Sequence, residues 1–229
     1  MKLRRTLGAA CLSALGMALM TVPAHAAPGD ATAADYLSVP AQAAPGDAIA
    51  AGHAGTTKVG QVTVPSIAPC STEGRMQATK SETTVADVVT YSNNKSVCTI
   101  DGVGEIATVT VTGGRYRFDA LIPYGGPRIR LASFTARCET TLTGSRSTLQ
   151  FTGLSGIQVP SRIPKNYVVT IPGGPGGKPK ATVTFNEVIT PSPPNGSMTV
   201  HLMHIRMFPA GGPTTGDSYV GTVFCSPVS

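Results

Sequence analysis

The chain has no tryptophan and few aromatic or charged residues. Phe and Tyr make up 5% of its 229 residues, and charged residues make up 13%. The lack of tryptophan counts against sugar binding by ring stacking, which commonly uses large flat aromatic side chains. The cations are scattered singly, without the clusters or interleaved aromatic residues that follow a nucleic-acid backbone. We therefore expect no nucleic-acid partner.

Catalytic signatures are also missing from the sequence. Neither Gly-x-Ser-x-Gly nor His-Glu-x-x-His occurs. The glycine-rich run at 173–178 lacks a Ser or Thr after its lysine and a following helical pattern, so it is typical of a hairpin loop and not of a phosphate-binding loop. We expect a non-enzymatic protein without a cofactor, and an unrecognised hydrolase stays as an alternative.

The first 26 residues have the pattern of an export signal. Lys2, Arg4 and Arg5 form a charged start, Leu7–Met20 is apolar, and the small-x-small sequence at 24–26 suits cleavage before Ala27. No later stretch is long and apolar enough to cross a bilayer. The sequence thus predicts a secreted, extracellular mature protein without a membrane span, released or loosely associated with the cell envelope.

Removal of this signal changes the charge balance. The precursor has a formal net charge of +6, but the mature chain keeps 15 basic and 12 acidic residues, a net charge of +3. Such a weak positive charge favours at most a loose attraction to an anionic cell wall.

Four cysteines remain after cleavage of the signal, namely Cys70, Cys98, Cys138 and Cys225. Their spacing is not that of a metal finger, and oxidised pairs are the expected state outside the cytoplasm. Three connectivities are open. We favour Cys70–Cys98, which brackets a polar segment, and Cys138–Cys225, which would tie a mid-chain strand to the last one.

A change of composition divides the mature chain. Residues 27–54 are rich in Ala, Gly, Pro and Asp, with the peptide Ala-Pro-Gly-Asp-Ala at 27–31 and again at 44–48. Such a segment buries too little apolar surface to offset its ordering entropy, so we interpret it as a flexible leader. Residues 55–229 are predicted to form one domain.

Apolar residues of this domain recur with a period of two. In Arg115–Ile122, the positions of Tyr116, Phe118, Ala120 and Ile122 share one face, as in a half-buried strand. Similar runs occupy 58–64, 84–91, 105–111, 128–138, 147–152, 167–171, 181–189, 198–208 and 218–225. Turn signals separate these runs, which predicts an all-β, antiparallel β-sandwich or open barrel-like sandwich in which any helix is short.

The apolar phase changes within the run at 128–138. Ile129 and Leu131 follow one phase, whereas Phe134, Ala136 and Cys138 follow the other. We expect a bulge near residues 132–133, which would turn Cys138 inward.

The run at 198–208 is the strongest metal candidate. His201, Met203 and Met207 share one strand phase, and thioethers with imidazole suit copper, so a secreted copper-binding protein is an alternative function. In a regular strand, however, His204 lies on the opposite face from His201. Methionine also fills irregular cores. We therefore favour packing and surface roles and predict no metal site.

Glu187 shares the phase of Val183, Phe185 and other apolar residues, so a regular strand would turn it inward. A buried carboxylate must be paired, protonated or part of a site. Arg206 and His204 share a phase of their own strand, and we predict a structural ion pair among Glu187, Arg206 and His204.

Several short motifs resemble the choice-of-anchor P proteins, a family of secreted and surface proteins of actinobacteria. These motifs lie at 55–60, 142–144, 151–154, 171–173, 183–187, 198–204 and 216–225. The resemblance implies an envelope-associated protein with no established activity or catalytic residues. The chain departs from the family in ending without a sorting motif, so release or non-covalent retention is expected.

A binding or structural role in the envelope is the resulting hypothesis. A β-sandwich presents the loops at its ends and its exposed edges to ligands or to other copies of the chain. The predicted partner is a cell-wall polymer or another surface protein. Tyr124 and Tyr167, beside Gly- and Pro-rich turns, are candidate contact residues, with a role as turn anchors the favoured alternative. The sequence leaves the oligomeric state open.

Overall fold

A computed structural model describes residues 47–173 and 177–228. The predicted signal peptide and residues 27–46 of the predicted leader lie outside the described residues, as do residues 174–176 of the glycine-rich loop. Within the described ranges, the chain forms fourteen β-strands and one short 3-10 helix at Ile122–Tyr124.

The first sheet contains the two ends of the described chain. Its strands are β1 (Ile49–Val59), β2 (Val62–Ile67), β3 (Cys70–Ser71), β11 (Tyr167–Ile171), β12 (Ala181–Ile189), β13 (Met198–Met207) and β14 (Gly216–Ser226). Their order is β11-β12-β13-β14-β1-β2, and β3 also pairs with β1. The last strand is therefore inserted between β13 and the first strand.

The middle of the chain forms the second sheet. Its strands are β4 (Gln77–Val85), β5 (Val89–Ile100), β6 (Ala107–Gly113), β7 (Tyr116–Phe118), β8 (Ile129–Leu131), β9 (Ser133–Thr141) and β10 (Gly144–Thr152). Their order is β10-β9-β6-β5-β7-β8, and β4 also pairs with β5. All strand pairs are antiparallel and the two sheets do not close into a barrel, which confirms the predicted all-β sandwich.

The core lies between the two sheets and follows from the period-two alternation. In β6, Val109 and Val111 are fully buried, whereas the threonines between and beside them are partly exposed. In β12, Val183 and Phe185 are fully buried in the same way. Each buried side chain of this size contributes about 1.5–3 kcal/mol relative to its exposed state.

A polar network crosses this core. The hydroxyl of Tyr91 lies 2.8 Å from Oγ1 of Thr57 and 3.1 Å from Oγ of Ser218, and the hydroxyl of Tyr116 lies 3.0 Å from the same serine oxygen. Both tyrosines come from the second sheet, whereas Thr57 and Ser218 belong to the first. The network satisfies four buried hydroxyls and fixes the lateral position of one sheet on the other.

Two disulfides also join the sheets. Cys70 of β3 is bonded to Cys98 of β5, and Cys138 of β9 is bonded to Cys225 of β14. These are the two pairings that we favoured from the sequence.

The folded domain begins earlier than the sequence predicted. Residues 49–54, assigned to the flexible leader, form the first half of β1, in which Ala50, His53 and Ala54 are buried. Small residues suit this strand because a Cβ at Gly52 would lie 2.8 Å from the side chain of Val109. The low hydrophobicity of the segment thus reflects a close approach of the two sheets, and the leader boundary at residue 54 is corrected.

Two predicted strands are hairpins in the structure. The run at 58–64 turns at Gly60, which has φ 56°, and the run at 84–91 turns at Asp87, which has φ 59°. The bulge expected near residues 132–133 is a strand break in the structure, because β8 ends at Leu131 and β9 begins at Ser133 with different partners. The side-chain phase changes at this break, and Cys138 is buried as expected. The glycine-rich loop connects β11 to β12, which form an antiparallel hairpin.

Within the described part of the chain, no helix has the length and apolar character that a bilayer crossing requires.

Candidate functional site

Four neighbouring strands of the first sheet are irregular at the same level. One residue on each is left out of the pairing, namely Asn186 of β12, Leu202 of β13, Gly221 of β14 and Ala54 of β1. Asn186 and Gly221 have left-handed backbone conformations, with φ 50° and 61°. We call this feature the transverse bulge. It reverses the side-chain phase of each strand, as a single-strand bulge does locally.

The transverse bulge brings two histidines to one face of the sheet. On β13, Leu202 and Met203 are both fully buried although they are consecutive. Because the phase reverses between them, His201 and His204 both project from the outer face, with ring centroids 6.3 Å apart. The prediction that these two imidazoles face opposite sides is therefore wrong.

His204 lies between two carboxylates. Its Nδ1 donates to Glu187, 3.0 Å from Oε2, and its Nε2 donates to Oδ1 of Asp217 at 2.8 Å. The ring also stacks on Tyr219, with centroids 4.2 Å apart. Burial disfavours the imidazolium, but the hydrogen bonds to Asp217 and Glu187 outweigh it and raise the pKa of His204 to about 9. His204 is a cation at neutral pH.

The pKa of Glu187 is shifted in the opposite direction to that of His204. Burial disfavours its carboxylate, but the hydrogen bond and positive charge of His204 lower its pKa overall. Its side chain is 21% exposed, on the outer face of β12 because the bulge at Asn186 precedes it. The predicted inward orientation of Glu187 is therefore wrong.

The predicted ion pair is present only in part. Glu187 pairs with His204, but within residues 47–173 and 177–228 no ion pair joins Arg206 to Glu187. Arg206 is exposed and lies beside Asp217 in the strand register. Asp217, which the sequence did not single out, is the second partner of His204.

A row of uncharged histidines continues across the sheet. Nδ1 of His201 lies 2.9 Å from Oγ1 of Thr222, and Nε2 lies 4.0 Å from Oε2 of Glu187. His53 stands opposite Thr222 on β1, and among the described residues neither of its ring nitrogens has a hydrogen-bond partner. Burial lowers the pKa of His53 to about 4 and that of His201 to about 3, so both rings are neutral at pH 7.

We call Glu187, His201, His204, Asp217, Tyr219, Thr222 and His53 the histidine row. These side chains can stabilise charge, but their histidines are not placed to act as general bases. A general base needs a free nitrogen lone pair within reach of solvent, and both nitrogens of His204 already donate to carboxylates. The nitrogens of His201 and His53 are buried.

The copper candidate does not assemble. Met203 and Met207 are buried in the core, whereas His201 lies on the outer face of the same strand. The described part of the chain holds no group of three or more His, Cys, Asp or Glu side chains arranged for a metal ion.

A second polar surface lies on the outer face of the other sheet. A depression of about 630 Å³ crosses β6, β9 and β10, and its lining consists entirely of residues with hydrogen-bonding side chains. We call it the threonine–arginine face; its residues are Thr110, Thr135, Arg137, Glu139, Arg146, Thr148 and Gln150. Strand register places them in rows, with Arg137 between Thr110 and Thr148.

An ion triad orders this face. Glu139 accepts hydrogen bonds from Arg137 at 2.7 Å and from Arg146 at 2.6 Å. The hydrogen bond from Arg146, opposed by slight burial and supported by Arg137, lowers the pKa of Glu139. The arginine side chains stay 51% and 71% exposed. Both guanidinium groups are thereby oriented with further N–H donors facing solvent.

The alternation of residues in the sequence carries part of the signal for this face. Thr108, Thr110 and Thr112 alternate with valines, and Thr135, Arg137 and Glu139 alternate with Ala136 and Cys138. The alternation identifies the outward residues, but their union into one surface required the strand order β10-β9-β6, which the sequence does not reveal.

Tyr124 and Tyr167, the two candidate ligand-contact residues, pack against other side chains of the fold. Tyr124 packs edge-on against Phe208 with ring centroids 5.0 Å apart, and Tyr167 is a partly buried neighbour of the core. Both match the alternative role as turn anchors.

Comparison with known proteins yields no relative: the chain matches no protein-family model, no curated protein and no solved structure.

Proposed function

We propose that the protein is an exported, non-enzymatic β-sandwich that binds a hydroxyl-rich polymer of the cell envelope through the threonine–arginine face. The observation that carries the proposal is a depression of about 630 Å³ whose lining residues all have side chains able to form hydrogen bonds.

The chemistry of the face suits a chain of hydroxyl groups. Threonine hydroxyls both donate and accept, the Gln150 amide does the same, and the two arginines donate. Within the described residues, the hydroxyls of Thr110, Thr135 and Thr148 form no internal hydrogen bond. The ion triad holds the guanidinium groups in place before a ligand arrives, which reduces the entropy lost on binding.

The face contains no aromatic side chain. Without ring stacking, each contact is an exchange of water for a ligand hydroxyl and adds little net free energy. Such a surface binds a single sugar weakly and gains affinity when a polymer presents many copies, because linked contacts raise the effective concentration.

Export to the envelope is supported by several observations. The signal-like residues 1–26 and the resemblance to choice-of-anchor P proteins favour it, and two disulfides joining the sheets are compatible with an oxidising compartment.

The test is co-sedimentation of the purified, disulfide-bonded protein with cell wall isolated from the producing organism. Thr110→Val, Thr135→Val and Thr148→Val are combined in one variant, which removes three hydroxyls while keeping side-chain shape. We expect at least a tenfold loss of affinity.

The matched control combines Thr170→Val, Thr182→Val and Thr184→Val, three strand threonines of the first sheet. It should sediment like the wild type. Equal binding by both triple variants and the wild type would overturn the proposal, as would binding that is lost equally in both.

A further inference from the structure

A cavity of about 430 Å³ opens at the edge of the first sheet where β13 ends and β14 begins. We call it the Lys58–Arg206 cavity. Its walls include both of these cations, the rings of Phe208 and Pro209, and the backbone around Gly211 and Gly216. It lies on a different sheet from the threonine–arginine face and is independent of the function proposed for that face.

The two cations flank a carboxylate that is already engaged. Strand register places Asp217 between Lys58 and Arg206. Oδ1 of Asp217 accepts the hydrogen bond of His204, which is itself a cation, at 2.8 Å. In the described ranges of the chain, neither Lys58 nor Arg206 lies within ion-pair distance of a carboxylate.

The local charge is therefore positive. Three cations, Lys58, Arg206 and His204, face two carboxylates, those of Asp217 and Glu187, which leaves a net charge of +1. A further ammonium stands close by, because Nζ of Lys178 lies 4.0 Å from the position of a Cβ on Gly211.

Several arginines of the second sheet and its loops have a carboxylate partner, namely Arg115, Arg117, Arg128, Arg137 and Arg146. Arg206 lines the cavity, and in the described part of the chain its guanidinium forms no ion pair. Arg206 differs from those arginines in its lack of such a partner, and it differs from exposed Arg130, which within the described residues has no ion pair either, in lining a cavity together with a lysine. A guanidinium presents a planar fork that fits two oxygens of one anion, and a lysine adds a point charge from the side.

We propose that the Lys58–Arg206 cavity binds a phosphate group, carried by a small ester or by a phosphodiester polymer. Arg206 engages two phosphate oxygens and Lys58 neutralises the group from the other side of Asp217. The volume exceeds that of phosphate alone and lies in the range of small-molecule sites, so the apolar wall at Phe208 and Pro209 accommodates the carbon substituent of the ester.

The experiment is a heteronuclear NMR titration of the folded protein with glycerol phosphate and, separately, with poly(glycerol phosphate). We expect saturable shifts of the amides of Gly211, Thr215 and Gly216, and weaker binding as salt increases. The combined variant K58Q/R206Q should bind both probes at least tenfold more weakly. Both substituted residues are exposed, so the variant should keep the wild-type spectrum elsewhere.

The matched control is K80Q/R130Q, which removes two exposed cations from the second sheet. It should bind as the wild type does. If the polymer binds more tightly per phosphate than the ester, the natural ligand is polymeric, and equal affinities identify a small ester; either result supports the site. Shifts that do not saturate, or that persist unchanged in K58Q/R206Q, would overturn the proposal.

Discussion

The carboxylate of Glu187 and the imidazole of His204 are 3.0 Å apart on the outer face of the first sheet. They meet there only because Asn186 and Leu202 are left out of the β12–β13 pairing between them. A regular pair of strands would leave Glu187 in the core and the two histidines of β13 on opposite faces. The backbone irregularity thus creates the charged cluster.

Stability should decrease in alkaline solution because His204 loses its proton. Its pKa is raised from 6.5 to about 9 in the folded protein, so its stabilising contribution is complete below pH 6.5 and is lost as the pH rises through 9. The contribution is about 3 kcal/mol. Urea unfolding of the wild type and of His204→Gln between pH 6 and 9.5 should show that the difference between them shrinks as the pH rises. A difference independent of pH would contradict this assignment.

Acid should destabilise the fold through His53. Its pKa falls from 6.5 to about 4 on folding, so between these values only the unfolded chain takes up the proton. Stability of the wild type should fall by about 1.4 kcal/mol per pH unit from this residue alone. In His53→Leu this dependence disappears, so the free energy of unfolding of the variant should rise relative to that of the wild type as the pH is lowered from 6.5 to 4. If urea titrations gave the two proteins the same dependence of stability on pH, the ring would take up its proton as readily in the folded chain as in the unfolded chain, which would contradict the prediction.

The two disulfides should stabilise the fold by different amounts because they close loops of different length. Cys70–Cys98 spans 28 residues and Cys138–Cys225 spans 87. In the chain-entropy model, removing each pair by alanine substitution costs about 3.6 and about 4.6 kcal/mol. All four cysteines are buried, so the packing losses are similar. Chemical denaturation of the two double variants should place C138A/C225A lower in stability, and the reverse order would reject the loop-length argument.

Gly55→Ala should disturb the polar network of the core. A Cβ at this position would lie 2.2 Å from Cε1 of Tyr91, so the ring must shift, and its hydroxyl is hydrogen-bonded to Ser218. Overpacking of this kind costs about 1–3 kcal/mol. The control is Gly74→Ala, where nothing lies within 4 Å of the new methyl group. Thermal unfolding should show a lower midpoint for Gly55→Ala and a nearly unchanged one for Gly74→Ala; equal midpoints would mean that the ring adjusts freely.

The period-two pattern was sufficient to predict the fold class, because alternation at Tyr116 and Phe118 or at Val183 and Phe185 is a local property of the chain. The cysteine pairing was also accessible, since Cys138 shares the inward phase of Phe134 and Ala136. The start of β1 could not be predicted from the sequence. Its alanines and glycines have the composition of a linker, and their burial depends on the close approach of Val109 from the other sheet.

The histidine row could not be predicted from alternation, because the transverse bulge reverses that alternation. Gly221 is a common signal for a turn, and Asn186 is one of the few non-glycine residues that adopt a left-handed conformation readily. Only the alignment of these residues on neighbouring strands gives them a common effect. Strand order also decided which threonines lie together on the second sheet.

The position of β14 between β1 and β13 has a consequence for biogenesis. Thr57 of β1 finds its hydrogen-bond partner Ser218 161 residues later in the chain. A nascent polypeptide therefore cannot assemble the centre of the first sheet until its distal segment has left the ribosome. Until then the second sheet, whose strands all come from the middle of the chain, has no complete partner sheet to pack against.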